Sequence, residues 1–360
     1  MTKTTKYVIG ILLVGMMLSC QSWKSVLIIS PTSTVDASLL PRGKVFVGSV
    51  EGEYLVYNLD TGDAGFLTLF PECRILPQGR EAICQREDRL YIVDIDSKHE
   101  AVLPLIGVDA WKFTSNRQGV LLMIDKENGF VELHYYDLGR GSSRLLATIH
   151  KGEWALFPDL SGDGNHLVGL YQANASNALI DIDLQNNSAE EISLSIDVDK
   201  ILELSPSPIR AVLGIGATEV KWEDVNRCYT TAFYTYDVET GVARKIAHVP
   251  SGEACYEFFN IVARNIWSPD GTKVALVAGQ KLCILYVGDV HQSCVQIARG
   301  DEIIDVVSWS PDSRFLAYIL TDTVSGTKDL YLVSDDGTVK YALVGKLTYS
   351  RIVDLFWSLP

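Results

Sequence analysis

The chain has 360 residues, 47% hydrophobic and 21% charged, a composition that excludes a disordered chain and is ample for a large buried core. Its formal net charge of −14 sets up a field that repels nucleic acid and anionic membrane surfaces, so basic partners or none are favoured. The six histidines are scattered, with no pair at metal-ligand spacing, and no cofactor is implied.

In residues 1–20, Lys3 and Lys6 precede an apolar or small run over 7–18, followed by Ser19 and Cys20. A basic start, an apolar stretch and a small residue at a cut site make an export signal, and the run is too short for the roughly 20 residues that span a bilayer. The tail Met17-Leu18-Ser19-Cys20 resembles a bacterial lipoprotein signal, which implies lipidation of Cys20 as the mature N-terminus; ordinary secretory cleavage is the alternative. Both send the chain to an extracytoplasmic place in a bacterial envelope, lipid-anchored or secreted. The lipid anchor is then the only membrane contact expected. Loss of the two lysines makes the rest of the chain more acidic still.

A linker at 21–40, containing Ser30-Pro31-Thr32-Ser33-Thr34, precedes a single expected domain at 41–360. Within it, apolar runs of 4–8 residues alternate with clusters of Gly, Pro, Asp, Asn and Ser, without helical periodicity. That pattern predicts an all-β sandwich, barrel or propeller, and internal repetition decides between them.

The repeats begin at ILPQGREAIC (Ile75), FTSNRQGVLLM (Phe113), LSGDGNHLVGL (Leu160), LSPSPIRAVL (Leu204), WSPDGTKVALV (Trp267) and WSPDSRFLAYI (Trp309), about one four-stranded blade apart. Trp267 and Trp309 each end an inner strand and fill the taper between blades. Pro and Asp then make a tight turn, Pro presetting φ and Asp bonding back to the backbone. A seventh blade is split: the chain ends in RIVDLFWSLP, and VFVGSVEGEYLVYNLDTG after Gly43 lacks a first strand. Joining the two ends closes the ring and removes both open sheet edges, unless LLPRGKVF supplies a first strand of its own. The expectation is an all-β propeller of seven four-stranded blades.

The pattern WSPDG-x-x-[LV]-A followed by LYLVS-D-x-G resembles the TolB-like (WD40-like, PD40) propeller repeats, which also precede prolyl oligopeptidase catalytic domains. The resemblance implies a fold and not a function. The G-x-S-x-G of the associated hydrolase domains is absent from this chain, so a peptidase reading is excluded.

Six cysteines remain beside Cys20, an even number suited to an oxidising compartment. Cys73 and Cys84 flank the turn at 77–80 symmetrically, and Cys283 and Cys294 do the same around Gly288-Asp289. In antiparallel hairpins each pair would stand opposite, with Cα atoms about 4.5 to 5.5 Å apart. Cys228 and Cys255 lie in the longest repeat, after a loop read at 220–227 and within one at 249–260. A bridge there would hold two long loops together on one rim. Trp222 and Tyr256, loop-borne among Lys221, Glu223 and other charges, make that rim the candidate surface for a protein or glycan partner; a loop cap packed on its own blade is the bland alternative.

Asp159, Ser161 and Asp163, followed by Gly164, carry oxygens at alternate positions, as a calcium loop does, yet they also occupy the place of the WSPDG turn. On the first strands, Asp109, Glu203, Arg264 and Asp305 are the ionisable groups available to a lyase- or glycosidase-type enzyme in the central channel. A binding or scaffold module is the favoured reading, and no catalytic residue is assigned. The oligomeric state is not legible.

Overall fold

The computed structural model describes residues 41–358, apart from 72, 115–116, 127, 151–157, 174–175, 187, 193–197, 210–211, 224–225, 249–266, 279, 289–290, 348 and 350. The chain folds into seven antiparallel blades in a ring, a β-propeller. Blade 1 has the strand order Ile352–Ser358, Lys44–Ser49, Glu53–Asn58, Ala64–Thr68. Blades 2 to 7 follow in sequence at 73–106, 108–150, 159–192, 198–248, 267–296 and 302–347. In blade 6, among the described residues, the innermost contact is the bridge between Trp267 and Val274.

The ring closes as the split repeat predicts. The C-terminal strand pairs with the N-terminal one from Lys44↔Ser358 to Ser49↔Ile352, with a bulge at Gly48/Ser49. Residues 44–49 are therefore the second strand of blade 1, and the first comes from the other end of the chain.

Second strands lie between two neighbouring blades and read as unbroken apolar runs, as in Phe315–Asp322, buried over all but its last residue. Outer strands face water, and Glu100–Ile106 is mostly exposed. Apolar clusters fill the seams: Phe46, Tyr54 and Ile75 join blades 1 and 2, while Val45, Leu355 and Trp357 join blade 1 to blade 7. Burial of this kind contributes about 1.5–3 kcal/mol per large side chain.

The repeat motif is a turn and a clamp together. Trp267 Nε1 donates to Ser205 O of the preceding blade at 2.7 Å, and Trp357 Nε1 donates to Ser308 O at 3.1 Å. Ser268 Oγ donates to Asp270 Oδ1 at 2.5 Å and accepts from Lys273 N at 2.9 Å. Ser310 repeats this with Asp312 (2.6 Å) and Phe315 N (2.9 Å). The fourth turn position is left-handed wherever described, with φ of 71° at Gly79, 54° at Arg117, 76° at Gly164, 65° at Gly271 and 60° at Ser313.

Blade 5 corrects the register read from sequence. Its turn is closed by Ser207 N bonding to Val212 O, the counterpart of Ser268 N to Lys273 O, so Pro206 and not Leu204 holds the aromatic position. The doubled Ser-Pro of LSPSPIR offered two registers, and the later one puts Pro208 in the turn. A second recurrent device was missed. An Asp or Asn ending the third strand accepts bonds from the following turn at Asn58, Asp94, Asp137, Asp183 and Asp237. It is a side-chain-closed turn of the Asx kind.

Candidate functional site

Two of the three expected cysteine pairs are disulfides. Cys73↔Cys84 and Cys283↔Cys294 are register partners, each with Cα atoms 4.0 Å apart, closer than the spacing expected of such pairs. Cys228 lies on the third strand of blade 5, paired with Lys221, while Cys255 and Tyr256 lie outside the described residues, as do Cys20 and Arg264.

Where a loop is expected at 220–227, residues 220–223 and 226–227 are instead strand. Blade 5 carries Val212–Glu223 and Asn226–Asp237, each of 12 residues, in register from Val212↔Asp237 to Glu223↔Asn226. Lys221, Glu223 and Asp224 read in sequence as a solvated loop, yet the backbone pairing continues through Val220↔Tyr229, Lys221↔Cys228 and Trp222↔Arg227. The second strands of blades 4 and 7 have 8 residues. At about 3.3 Å per residue the blade 5 hairpin therefore runs on by roughly 13 Å. It does so on the face opposite the repeat turns, as a two-stranded ribbon with Lys221, Trp222 and Glu223 at its end. Phe233, nearer the base, is core at 1% exposure.

The Asp159, Ser161, Asp163 stretch has the geometry of the repeat turn. Ser161 Oγ donates to Asp163 Oδ1 and accepts from His166 N at 3.0 Å, and Asp163 Oδ1 also accepts from Asn165 N. Asp159 pairs with Lys112 Nζ of blade 3 at 2.8 Å, and burial raises its carboxyl above the usual range against the pull of that lysine. Among the described residues no group of three His, Cys, Asp or Glu side chains is placed to share a metal ion.

Of the channel candidates, Asp305 accepts from Thr321 Oγ1 at 3.1 Å and pairs with Lys328 Nζ at 3.3 Å. Asp109 is exposed at a bulge between Val108 and Ala110, and Glu203 follows a similar bulge on Val198–Pro206. Among the described residues no contact joins Asp109 to Asp305, and the Glu203 side chain lies outside them.

A cluster not read from the sequence joins blades 1, 2 and 3. Arg117 Nη2 pairs with Asp354 Oδ1 of the C-terminal strand at 3.2 Å, and its guanidinium lies over the rings of Phe113 (5.1 Å) and Phe356 (4.7 Å). Phe356 stacks on Phe46 at 4.8 Å. Beside them Tyr54 donates to Cys73 O at 2.8 Å. Burial raises the Tyr54 hydroxyl well above its usual range and Asp354 adds to this, while Arg74, hydrogen-bonded to it, and Arg117 act against it. The sequence held one signal for this site: an arginine where blades 2, 4 and 6 have glycine.

No family model and no curated protein matches the chain. Among solved structures it resembles an oligogalacturonate lyase in complex with manganese, at 13% identity and TM-score 0.53, covering 91% of this chain and 97% of that one. It also resembles the propeller domain of the trilobed protease from Pyrococcus furiosus, described as having an open velcro topology, at 11% identity and TM-score 0.52, covering 91% and 97%. TolB from Acinetobacter baumannii aligns at 15% identity and TM-score 0.47, over 90% and 86%. At such identities the likeness is one of fold, a β-propeller, and it carries no activity with it.

Proposed function

We propose that this protein is an exported, membrane-anchored propeller that serves as a binding or scaffold module for a protein or glycan partner. The observation that carries the reading is the blade 5 ribbon. A β-hairpin extended beyond its neighbours offers paired strands to a partner, with less ordering to be done on binding than a loop of the same length would need. The two hairpin disulfides support an oxidising, extracytoplasmic location.

Shortening the ribbon by replacing 220–229 with a two-residue turn should leave the melting temperature within about 3 °C, because base and core are untouched. Cross-linked pull-down from cells should then lose the partner recovered with the native chain, and Trp222→Ala should weaken it at least tenfold. Retained capture by the shortened chain sinks the ribbon as the binding surface. Lipid anchoring is tested separately: Cys20→Ser should abolish palmitate labelling and release the protein from membranes.

An enzyme reading, lyase or glycosidase in type, draws on the likeness to the oligogalacturonate lyase and on Asp305 and Asp109 along the inner strands. Unsaturated product formed from oligogalacturonate in the presence of manganese, and lost in Asp305→Asn, would establish it in place of the binding module.

A further inference from the structure

Arg117 occupies a costly place. At φ 54° it lies in the left-handed region that the same turn position fills with glycine in blades 2, 4 and 6, at Gly79, Gly164 and Gly271. A long side chain there carries backbone strain that glycine avoids, and strain of this kind persists only when something else holds it. The ion-pair partner of Arg117 is not in its own blade or the next, although the ring of Phe113 in its own blade lies under the guanidinium. Its guanidinium reaches from blade 3 to blade 1, bonding to Asp354 at a sequence distance of 237 residues. The intervening blade 2 has the shortest inner strand of its neighbourhood, Cys73–Ile75, of 3 residues, against 6 in blade 3 and 7 in blade 1.

The strand that Arg117 grips is the one whose attachment closes the ring. Residues 352–358 belong to blade 1 but arrive from the far end of the chain, so no covalent continuity with Lys44–Ser49 holds them there. Asp354 is 5% exposed and Arg117 17%, and the two flanking rings, Phe113 and Phe356, come from the two blades being joined. Among the described residues, neither Arg117 Nη1 nor Asp354 Oδ2, both buried, has a hydrogen-bond partner. Separation of the pair would thus leave a buried carboxylate without its ion-pair partner, which is costlier than losing a surface pair.

From this geometry we infer that Arg117 is a latch on the closing strand: it couples blade 3 to the terminal seam and sets how readily the ring opens there. The latch works through Asp354 and spans blade 2. The seam's other fastenings are the pairing with Lys44–Ser49 within blade 1, the Trp357 bond to Ser308 toward blade 7, and the packing of Phe356 in the apolar cluster shared with blade 2; among these Arg117 is the contact that reaches blade 3.

The test turns on a sign. If Arg117 has no tertiary role, Arg117→Gly relieves strain and the protein melts at the same or a higher temperature. If it is the latch, Arg117→Gly lowers the melting temperature despite the relief, and hydrogen exchange at 352–358 and 44–49 accelerates at least tenfold while blade 6 is unchanged. The cycle with Asp354→Asn isolates the pair: in that background Arg117→Gly should no longer accelerate seam exchange and should recover the stabilising effect of relieved strain. An additive result, or exchange that rises uniformly around the ring, overturns the latch. Arg117→Lys, which keeps the charge but not the planar fork, should fall between wild type and glycine and guards against a glycine variant that does not fold.

Discussion

Blade 7 and blade 3 fold the same turn for different ends. In both, the backbone closes identically, with Ser310 N to Phe315 O and Ser313 N to Ser310 O in one, and Thr114 N to Gly119 O and Arg117 N to Thr114 O in the other. Blade 7 then directs its turn side chains inward, Ser310 bonding Asp312 and Phe315 N, and its left-handed residue is Ser313, 2% exposed and accepting from Asp270 N of blade 6 at 3.1 Å. Blade 3 has Arg117 at that position and directs it two blades away. The backbone of a repeat is thus a fixed frame, while the side chain at its most constrained position is free to take up contacts beyond the repeat. Where the motif is strongest in sequence, as at WSPDS, the blade is held by its own turn and its immediate neighbours. Where it is degraded, as at FTSNR, the residue that breaks the pattern carries a long-range contact.

The largest expected effect strikes the seam that blade 3 braces. Deleting 351–360 removes Leu355, Phe356 and Trp357, all at or below 6% exposure. At about 1.5–3 kcal/mol each this is comparable with the whole stability of a domain, typically 5–15 kcal/mol. The truncated chain should lose more than about 10 °C in melting temperature, or fail to fold, and should expose Val45 and Val47 to solvent. A truncated chain that melts like the full one would show that neither strand nor latch closes the ring.

An intermediate effect separates the two hairpin disulfides, one in a degraded blade and one in a regular blade. In blade 2 both sulfurs are enclosed, Cys73 at 1% and Cys84 at 0% exposure, whereas in blade 6 Cys283 is buried and Cys294 is exposed. Thiol exchange needs access for the attacking thiolate, so a mild reductant should open Cys283–Cys294 first and leave Cys73–Cys84 until the ring unfolds. Each bridge closes a short loop and is worth roughly 2–3 kcal/mol through the unfolded chain, or about 5 °C of melting temperature. Thiol alkylation followed by peptide mapping reads the order, and loss of Cys73–Cys84 first would refute it.

Much of this architecture was legible because it is periodic. Spacing near forty residues gave the blades, the incomplete repeats at both ends gave the closure, and the symmetry of Cys73/Cys84 and Cys283/Cys294 about their turns gave the pairings now seen in the register. What escaped was not periodic. Lys221, Glu223 and Asp224 look like solvated punctuation and suggest a loop, yet a paired strand such as Val212–Glu223 accommodates charged residues as readily as a loop does. Arg117 escaped because its partner lies at the other end of the chain, and only the fold brings Asp354 beside it. A local exception in a repeat marks a position to inspect without naming the contact it makes.

The smallest effect belongs to the self-contained blade. Asp336 closes the turn between the third and fourth strands of blade 7: it accepts from Ser334 Oγ at 2.5 Å, from Thr338 N at 3.0 Å and from Thr338 Oγ1 at 2.8 Å. The serine hydroxyl above all, then the threonine amide and hydroxyl, hold its carboxyl below the usual aspartate range. A carboxyl with a depressed folded-state pKa stabilises the fold above its unfolded value, near 3.9, and that contribution is lost as pH falls through the lower folded value. Acid should therefore cost the wild type slightly more between about pH 5 and pH 2 than it costs Asp336→Asn, whose amide does not titrate. The two melting curves should converge as the carboxylate protonates. Ser334→Ala should move the Asp336 carboxyl resonance to titrate closer to the ordinary range, because it removes the largest of the three donors. The site is exposed, so the change in stability should be small and local, without altering exchange at the seam of residues 352–358. An Asp336→Asn chain with the same acid sensitivity as wild type would show that this turn is held by its backbone alone, and that blade 7 does not depend on its side-chain bonds for the self-containment that distinguishes it from blade 3.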